Sequence, residues 1–320
     1  MRRCLGGKNL LVGSMFAGIG GICIGFKQAG AKIVWANEID RYACVTYRHN
    51  LGSGYLIEGD IKKINVGSIP KFDILTAGFP CQPFSVMGKQ RGFADPRGTM
   101  YYEILRVIDA VKPKIVFLEN VKNLAEHDRG RTFITIYNTL AKRGYGVKYA
   151  VQGAHTHANI PQYRDRIFIV AFLDHERLEQ FSFPDQVTLT KKIDNIIDRT
   201  ANVDKSLYYQ PTSQYYDTLN IRMEKRNSIY RIDDSGVAKR AWVICPTLKA
   251  NMGTYPDRVP IIRDINGIRK LTFTECLGLQ GFPKSYEMPD IRQSEIYKQL
   301  GNTVCVPVVM RIARRVLKLI

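Results

Sequence analysis

One repeated pattern narrows the fold of this chain more than anything else. In the first half, five short apolar runs (9–16, 31–37, 55–60, 72–78 and 114–120) each stop at a glycine or a polar residue, and stretches such as 99–111 and 131–143 show helical spacing. Strands that alternate with helices form a mostly parallel sheet covered by helices on both faces, so the predicted class is α/β. Ligands of such sheets bind beyond the carboxyl ends of the strands. The residues that close each run therefore bear most directly on function.

After about residue 184 the alternation stops and the chain becomes polar and tyrosine-rich, which sets a domain boundary there. Between 186 and 270 it carries 15 lysines and arginines against 9 acidic residues, with Tyr208, Tyr209, Tyr215, Tyr216, Tyr230 and Tyr255 interspersed. The whole chain has 47 basic and 29 acidic residues, a net charge of +18 over 320 residues, which points to a polyanionic partner. No run approaches the roughly 18 apolar residues of a membrane helix, so nucleic acid is favoured over a membrane surface. Seven cysteines, an odd number without a C-x-x-C pair, argue against a disulfide framework or a cysteine-rich zinc site and for a reducing, cytoplasmic setting. His155 and His157 lack the further ligands a metal set needs, and no metal is expected. The amphipathic tail to residue 320 is predicted to be a helix docking on the first domain.

The glycine loop "FAGIGG" (16–21) follows the first strand and opens a helical stretch, so Gly18, Gly20 and Gly21 would admit a tight turn and a close ligand. Glu38 ends the second strand, where a carboxylate can accept ribose hydroxyls, and Asp60 ends the third, within reach of an adenine amino group. The loop lacks a full G-x-G-x-x-G, so a pyrophosphate cradle is disfavoured, while the pattern leaves a dinucleotide and S-adenosylmethionine both open. "GFPCQPFS" (78–85) presents Cys81 between Pro80 and Gln82 rather than packing it inside an element. A thiol with an ordinary pKa near 8.5 is only a few per cent thiolate at neutral pH, so it needs help, such as protonation of its electrophile. Glu119 closes the next strand and would emerge at the same edge. A thiolate and a carboxyl beside a nucleoside can add to an electron-poor pyrimidine.

"FAGIGG", "GFPCQPFS", "RGTMYYEI", "ENVKNL", "PQYRDRI", "LTFTECLGLQGFP" and "QLGNTVCVPV" occur in the order found in the DNA (cytosine-5) methyltransferases, and the resemblance spans residues 10–310. It implies a Rossmann-like, S-adenosylmethionine-dependent catalytic domain over 1–185, completed by 297–320, a target-recognition domain over 186–285 and a hinge at 286–296. Cys81 would add to cytosine C6, Glu119 would hold and protonate the N3 side, Arg166 would contact O2 and Arg164 would support the pocket. The matching cofactor positions are Phe16, Gly18, Gly20, Glu38, Ile39, Asp60, Pro80, Met100 and Asn302, with S-adenosyl-L-homocysteine as product.

A stacked cytosine is inaccessible, so the base must be flipped out of double-stranded DNA. Residues 82–98 suit a closing lid, with Gly88, Gly92 and Gly98 as hinges and Lys89, Arg91 and Arg97 meeting phosphates. Gln82 and Ser85 join the expected DNA contacts, as does Thr247, which with Leu248 resembles the family's Thr-Leu element. Where the family usually carries arginines this chain has Thr274 and Gly278, and Thr303 replaces a serine; these departures bear on packing or phosphate contact. The implied setting is a bacterial restriction-modification system, with a monomeric enzyme and any cognate endonuclease acting separately. Three alternatives compete: an RNA cytosine-5 methyltransferase, a catalytically silent DNA-binding relative and, less well, a nucleotide-dependent dehydrogenase. Cys23, Cys44, Cys245, Cys276 and Cys305 are expected to be core thiols.

Overall fold

The structure is a computed structural model that describes residues 10–79, 99–223, 228–232, 236, 243–255 and 257–320. Strands β1 (Leu11–Met15), β2 (Lys32–Glu38), β3 (Leu56–Glu58), β4 (Ile74–Gly78) and β5 (Ile115–Val121) fall on the five apolar runs. Helices α1 (Gly21–Ala29), α2 (Arg41–Leu51), α3 (Thr99–Val111) and α4 (Arg131–Ala141) alternate with or follow them. Two further strands, β6 (Gly146–Gly153) and β7 (Asp165–Phe172), complete a seven-stranded sheet of order β3-β2-β1-β4-β5-β7-β6. It is mostly parallel; β7 runs antiparallel to both its neighbours.

Neither β6 nor β7 is among the predicted strands. β6 is an edge strand whose exposed Tyr149 and Val151 blur the alternation, and the apolar run of β7 fits a buried helix as well as a strand.

Beyond the sheet lie α5 (Ala154–His157), α6 (His175–Gln180), α7 (Tyr216–Arg222), an antiparallel pair β8 (Ile261–Arg263) and β9 (Ile268–Lys270), then α8 (Phe273–Gln280), α9 (Gln293–Asn302) and α10 (Val306–Leu317). One face of the sheet packs Phe117 and Phe168 against Phe26 of α1 and Val309 and Ile312 of α10. Gly25 permits that approach, because a Cβ there would lie 2.6 Å from Val309 Cγ1. The predicted tail helix thus docks on α1, with Arg314 and Arg315 on its outer side. The other face packs Leu75 and Val116 against Ile104, Ile108, Ile136 and Leu140 of α3 and α4. A third cluster joins Cys245, Leu248, Met252, Leu271 and Leu300 to Ile19 and to Ile24 of α1. Cys23, Cys44, Cys245, Cys276 and Cys305 are all buried, and burial pushes the Cys44 and Cys305 thiols up to about 12, so neither is a nucleophile at neutral pH.

A buried ion-pair network orders the segment before α8. Arg269 is fully buried; it donates to Asp264 at 2.6 Å and to both oxygens of Glu275 at 2.8 Å. Glu275 and Thr272 also close a reciprocal capping box that starts α8. Breaking a buried pair strands the remaining charges at a cost of about 3–5 kcal/mol. Arg269→Ala should lower the unfolding free energy by that order in a urea titration, and a loss below about 1 kcal/mol would contradict a structural role for the network.

Candidate active site

The carboxyl edge of the sheet gathers most of the predicted residues. After β1 the chain turns through Phe16 (φ 52°) and Gly18 (φ 54°) to Gly20 (φ 84°), the N-cap of α1. A Cβ added to Gly18 would meet no atom within 4 Å, so this glycine faces open space. A Cβ at Gly20 would lie 2.3 Å from Leu51 Cδ1, and one at Gly21 2.5 Å from Thr303 Oγ1. Gly20, in the left-handed region, packs against Leu51 of α2, and Gly21 lies against the 303 turn on the wall of the cleft described next.

Glu38 ends β2, nearly buried, with Oε2 accepting the Gly18 N–H at 2.7 Å and Oε1 accepting those of Ile39 and Asp40 at 2.8 Å. Three backbone donors thus fix a carboxylate whose remaining lone pairs are free to accept. A cleft of about 450 Å³ opens beside it. Its wall includes Phe16, Gly18, Glu38, Glu119, Arg164, Arg166 and Asn302, drawn from regions almost 290 residues apart in sequence. Gly20, Ile39, Asp60 and Met100 do not line it. Ile39 is 64% exposed, Asp60 accepts the Lys62 N–H and starts the 61–63 turn, and Met100 packs against the core face of α3 and α4.

Glu119 lies on β5 and reaches into the cleft, with Oε1 3.2 Å from Arg166 Nε. Burial pushes its carboxyl pKa up, and the Arg166 and Arg164 charges offset only part of that. Neighbouring Gly78 leaves the space, since a Cβ there would be 3.3 Å from Glu119 Oε2. Arg166 arrives because β7 is antiparallel: its second residue pairs with Val121 at the end of β5. Arg164, 2% exposed, donates to the carbonyls of Leu248 at 2.9 Å, Gly301 at 3.1 Å and Thr303. Burial and the adjacent Arg166 charge lower its pKa, but three carbonyl acceptors favour the charged form.

Several wall residues were not anticipated. Asn120 donates to the Phe79 carbonyl at 2.8 Å, which fastens β5 to the chain leaving β4. Lys298 pairs with Asp40 at 2.7 Å, and Gln299 accepts the Thr46 hydroxyl at 2.8 Å. Asn120 was legible as a neighbour of Glu119; the other two rely on contacts across more than 250 residues. Pro80, Cys81, Gln82, Ser85, Lys89, Arg91 and Arg97, with the whole 82–98 segment, lie outside the described residues.

Thr247 is half-buried and donates its hydroxyl to the Tyr163 carbonyl, beside a bridge between Gln162 and Cys245. At the departures from the resemblance, a Cβ on Gly278 would lie 2.8 Å from Ile196 Cγ2, so an arginine would not fit without repacking. Among the described residues no cluster of three or more potential metal ligands occurs. His157 Nδ1 accepts the Gly153 N–H, and His155 packs edge-on against Tyr163.

This arrangement can hold a nucleoside against Glu38 and present a carboxyl with a raised pKa beside a guanidinium. The model of the family described as C-5 cytosine-specific DNA methylase matches residues 10–318. The chain is 43% identical to the type II methyltransferase M.Bsp6I of Bacillus sp. (strain RFL6), over 97% of this chain and 99% of that protein. It is 35% identical to the type II methyltransferase M.HhaI of Haemophilus parahaemolyticus, over 93% of this chain and 91% of that protein. The solved structure of the S. pombe Dnmt2 methyltransferase superposes with a TM-score of 0.74 over 97% of this chain and 98% of that one; at 21% identity this likeness bears on the fold alone.

Proposed function

The chain belongs to the family of C-5 cytosine-specific DNA methylases, and from that premise we propose how its residues divide the reaction. The protein is a DNA (cytosine-5) methyltransferase of the type II restriction-modification kind. Family and fold imply S-adenosylmethionine as methyl donor. The cleft fits that molecule: Gly18 opens onto it, the Glu38 carboxylate is fixed to accept two hydroxyls, and Gln299 Nε2 and Arg164 Nε on its wall have no partner among the described residues. We assign Phe16, Gly18, Glu38 and Asn302 to the donor's contact surface. Ile39, Asp60, Pro80 and Met100 would flank it, and Gly20 would shape the loop.

When bound, S-adenosylmethionine supplies an electrophilic methyl group on a sulfonium sulfur. Cys81, two residues beyond Phe79 in the chain, adds as thiolate to cytosine C6. Glu119 donates its proton to N3, so electron density moves to C5 instead of building up as charge on the ring. Arg166 holds O2 and keeps Glu119 oriented. C5 takes that methyl group, leaving the donor as S-adenosyl-L-homocysteine; loss of the C5 proton to solvent, return of the N3 proton to Glu119 and expulsion of the Cys81 thiolate then restore the aromatic ring. The buried pair of Glu119 and Arg166 on the wall that also carries Glu38 supports this division most strongly.

For the partner we propose flipped-out cytosine in double-stranded DNA, recognised by residues 186–285 as target-recognition domain, linked through 286–296 to a catalytic domain of 1–185 and 297–320. Gln82, Ser85, Lys89, Arg91, Arg97 and Thr247 would meet the DNA, and the enzyme would act as a cytoplasmic monomer on nucleoid DNA, apart from any cognate endonuclease. Transfer of labelled methyl to duplex DNA but not to tRNA, with bisulfite sequencing showing one fixed sequence context in a heterologous host, is the expected result. Transfer to tRNA alone would overturn the reading. Glu38→Ala should raise the KM for S-adenosylmethionine at least about tenfold, the loss of one charge-assisted hydrogen bond or more, with a smaller effect on kcat.

A further inference from the structure

We infer that Arg164 is a positioning residue that couples DNA binding to methyl-donor binding, by holding the DNA-side segment around Leu248 and the cofactor-side turn at Gly301–Thr303 on one guanidinium. The inference rests on the reading above. Its observation is the set of acceptors: Nη1 donates to Leu248 O at 2.9 Å, while Nη2 donates to Gly301 O at 3.1 Å and to Thr303 O. Leu248 follows Thr247, and Gly301 and Thr303 flank Asn302, so the carbonyls belong to two segments serving different ligands. The side chain is 2% exposed, so water cannot replace a lost acceptor cheaply.

The two segments are also in direct contact. A Cβ on Gly301 would lie 2.1 Å from the Lys249 carbonyl oxygen and 2.6 Å from the Ala250 nitrogen, so the backbones touch and neither moves independently. Gln162, two residues before Arg164, makes a second link, donating to Leu279 O at 2.7 Å and accepting the Leu248 N–H at 3.3 Å. Gln280 in turn donates to Leu300 O at 2.9 Å. A ligand that fixes residues 247–250 therefore spares the other the cost of ordering 301–303, and linkage makes the effect reciprocal.

The test is a binding cycle with S-adenosylhomocysteine and a duplex carrying the target sequence. Each dissociation constant is measured with and without the other ligand, for the wild-type protein, Arg164→Lys and Arg164→Met. The wild type should show a reciprocal coupling factor within about 5–150-fold. Arg164→Lys, which keeps the charge but cannot span both segments, should bring the factor to about 2 or less, a larger loss than the change in either binary affinity. A purely structural role would weaken both binary affinities and leave the factor intact, which overturns the inference. A wild-type factor near 1 overturns it as well, whether or not either variant folds. A wild-type protein that binds neither ligand would instead sink the functional reading on which the inference rests.

Discussion

Cys81→Ala should abolish methyl transfer, with kcat down by about 10⁴-fold or more, while sequence-selective DNA binding stays within a few-fold of wild type. The size follows from the chemistry. Without a nucleophile at C6, C5 of cytosine has no enamine character, and positioning alone leaves only a residue of the rate. Cys81→Ser should be nearly as inactive, because a hydroxyl is far less ionised than a thiol at neutral pH. Among the described residues no thiol can substitute: these cysteines are buried core residues, and burial raises the pKa of each. Single-turnover transfer with labelled donor, alongside a gel-shift titration, checks both halves of the prediction. Full turnover by either variant would refute the assignment.

Glu119→Gln should lower kcat by about 10²–10⁴-fold, the usual worth of a positioned general acid, with little change in DNA affinity. Glutamine keeps the shape and can donate a hydrogen bond to N3, but it cannot transfer a proton. Burial raises the Glu119 pKa above its ordinary value of 4.5, so the proton it must donate is retained to higher pH than on an exposed carboxyl. The alkaline limb of the wild-type kcat/KM profile should carry this ionisation, and Glu119→Gln should lack it. Stability follows the same sign. A carboxyl with a raised folded pKa favours folding fully below its unfolded value near 4.5, and that contribution is lost as pH rises through the folded value. Thermal melting should therefore show Glu119→Gln gaining on wild type as pH rises through that window, and a parallel pH dependence would count against a perturbed carboxyl.

The legible parts of this molecule are those where local pattern and site coincide. Each of the five apolar runs ends where its strand delivers a residue to the carboxyl edge, so Glu38 and Glu119 were readable from strand ends alone. Arg164 and Arg166 were found only through the family motif. Their delivery depends on β7 running antiparallel, which no short-range periodicity encodes. At Gly20 and Gly21 a glycine loop after a strand carries no label saying which neighbouring side chain also needs the space. Leu51 and Thr303 supply that answer only after folding. The pair of Lys298 and Asp40 joins positions 258 residues apart, and the bidentate clasp of Arg269 on Glu275 needs β9 and α8 in register. Such contacts are properties of the assembled core.

The account is tested most directly by trapping the protein on a target duplex whose cytosine carries fluorine at C5. Fluorine cannot leave as a proton does, so expulsion of the thiol is blocked and a covalent complex should accumulate in the presence of S-adenosylmethionine. Peptide mass spectrometry of that complex should locate the methylated fluorocytosine on Cys81. A complex linked through any other side chain, or no complex from an enzyme that methylates ordinary cytosine, would contradict it.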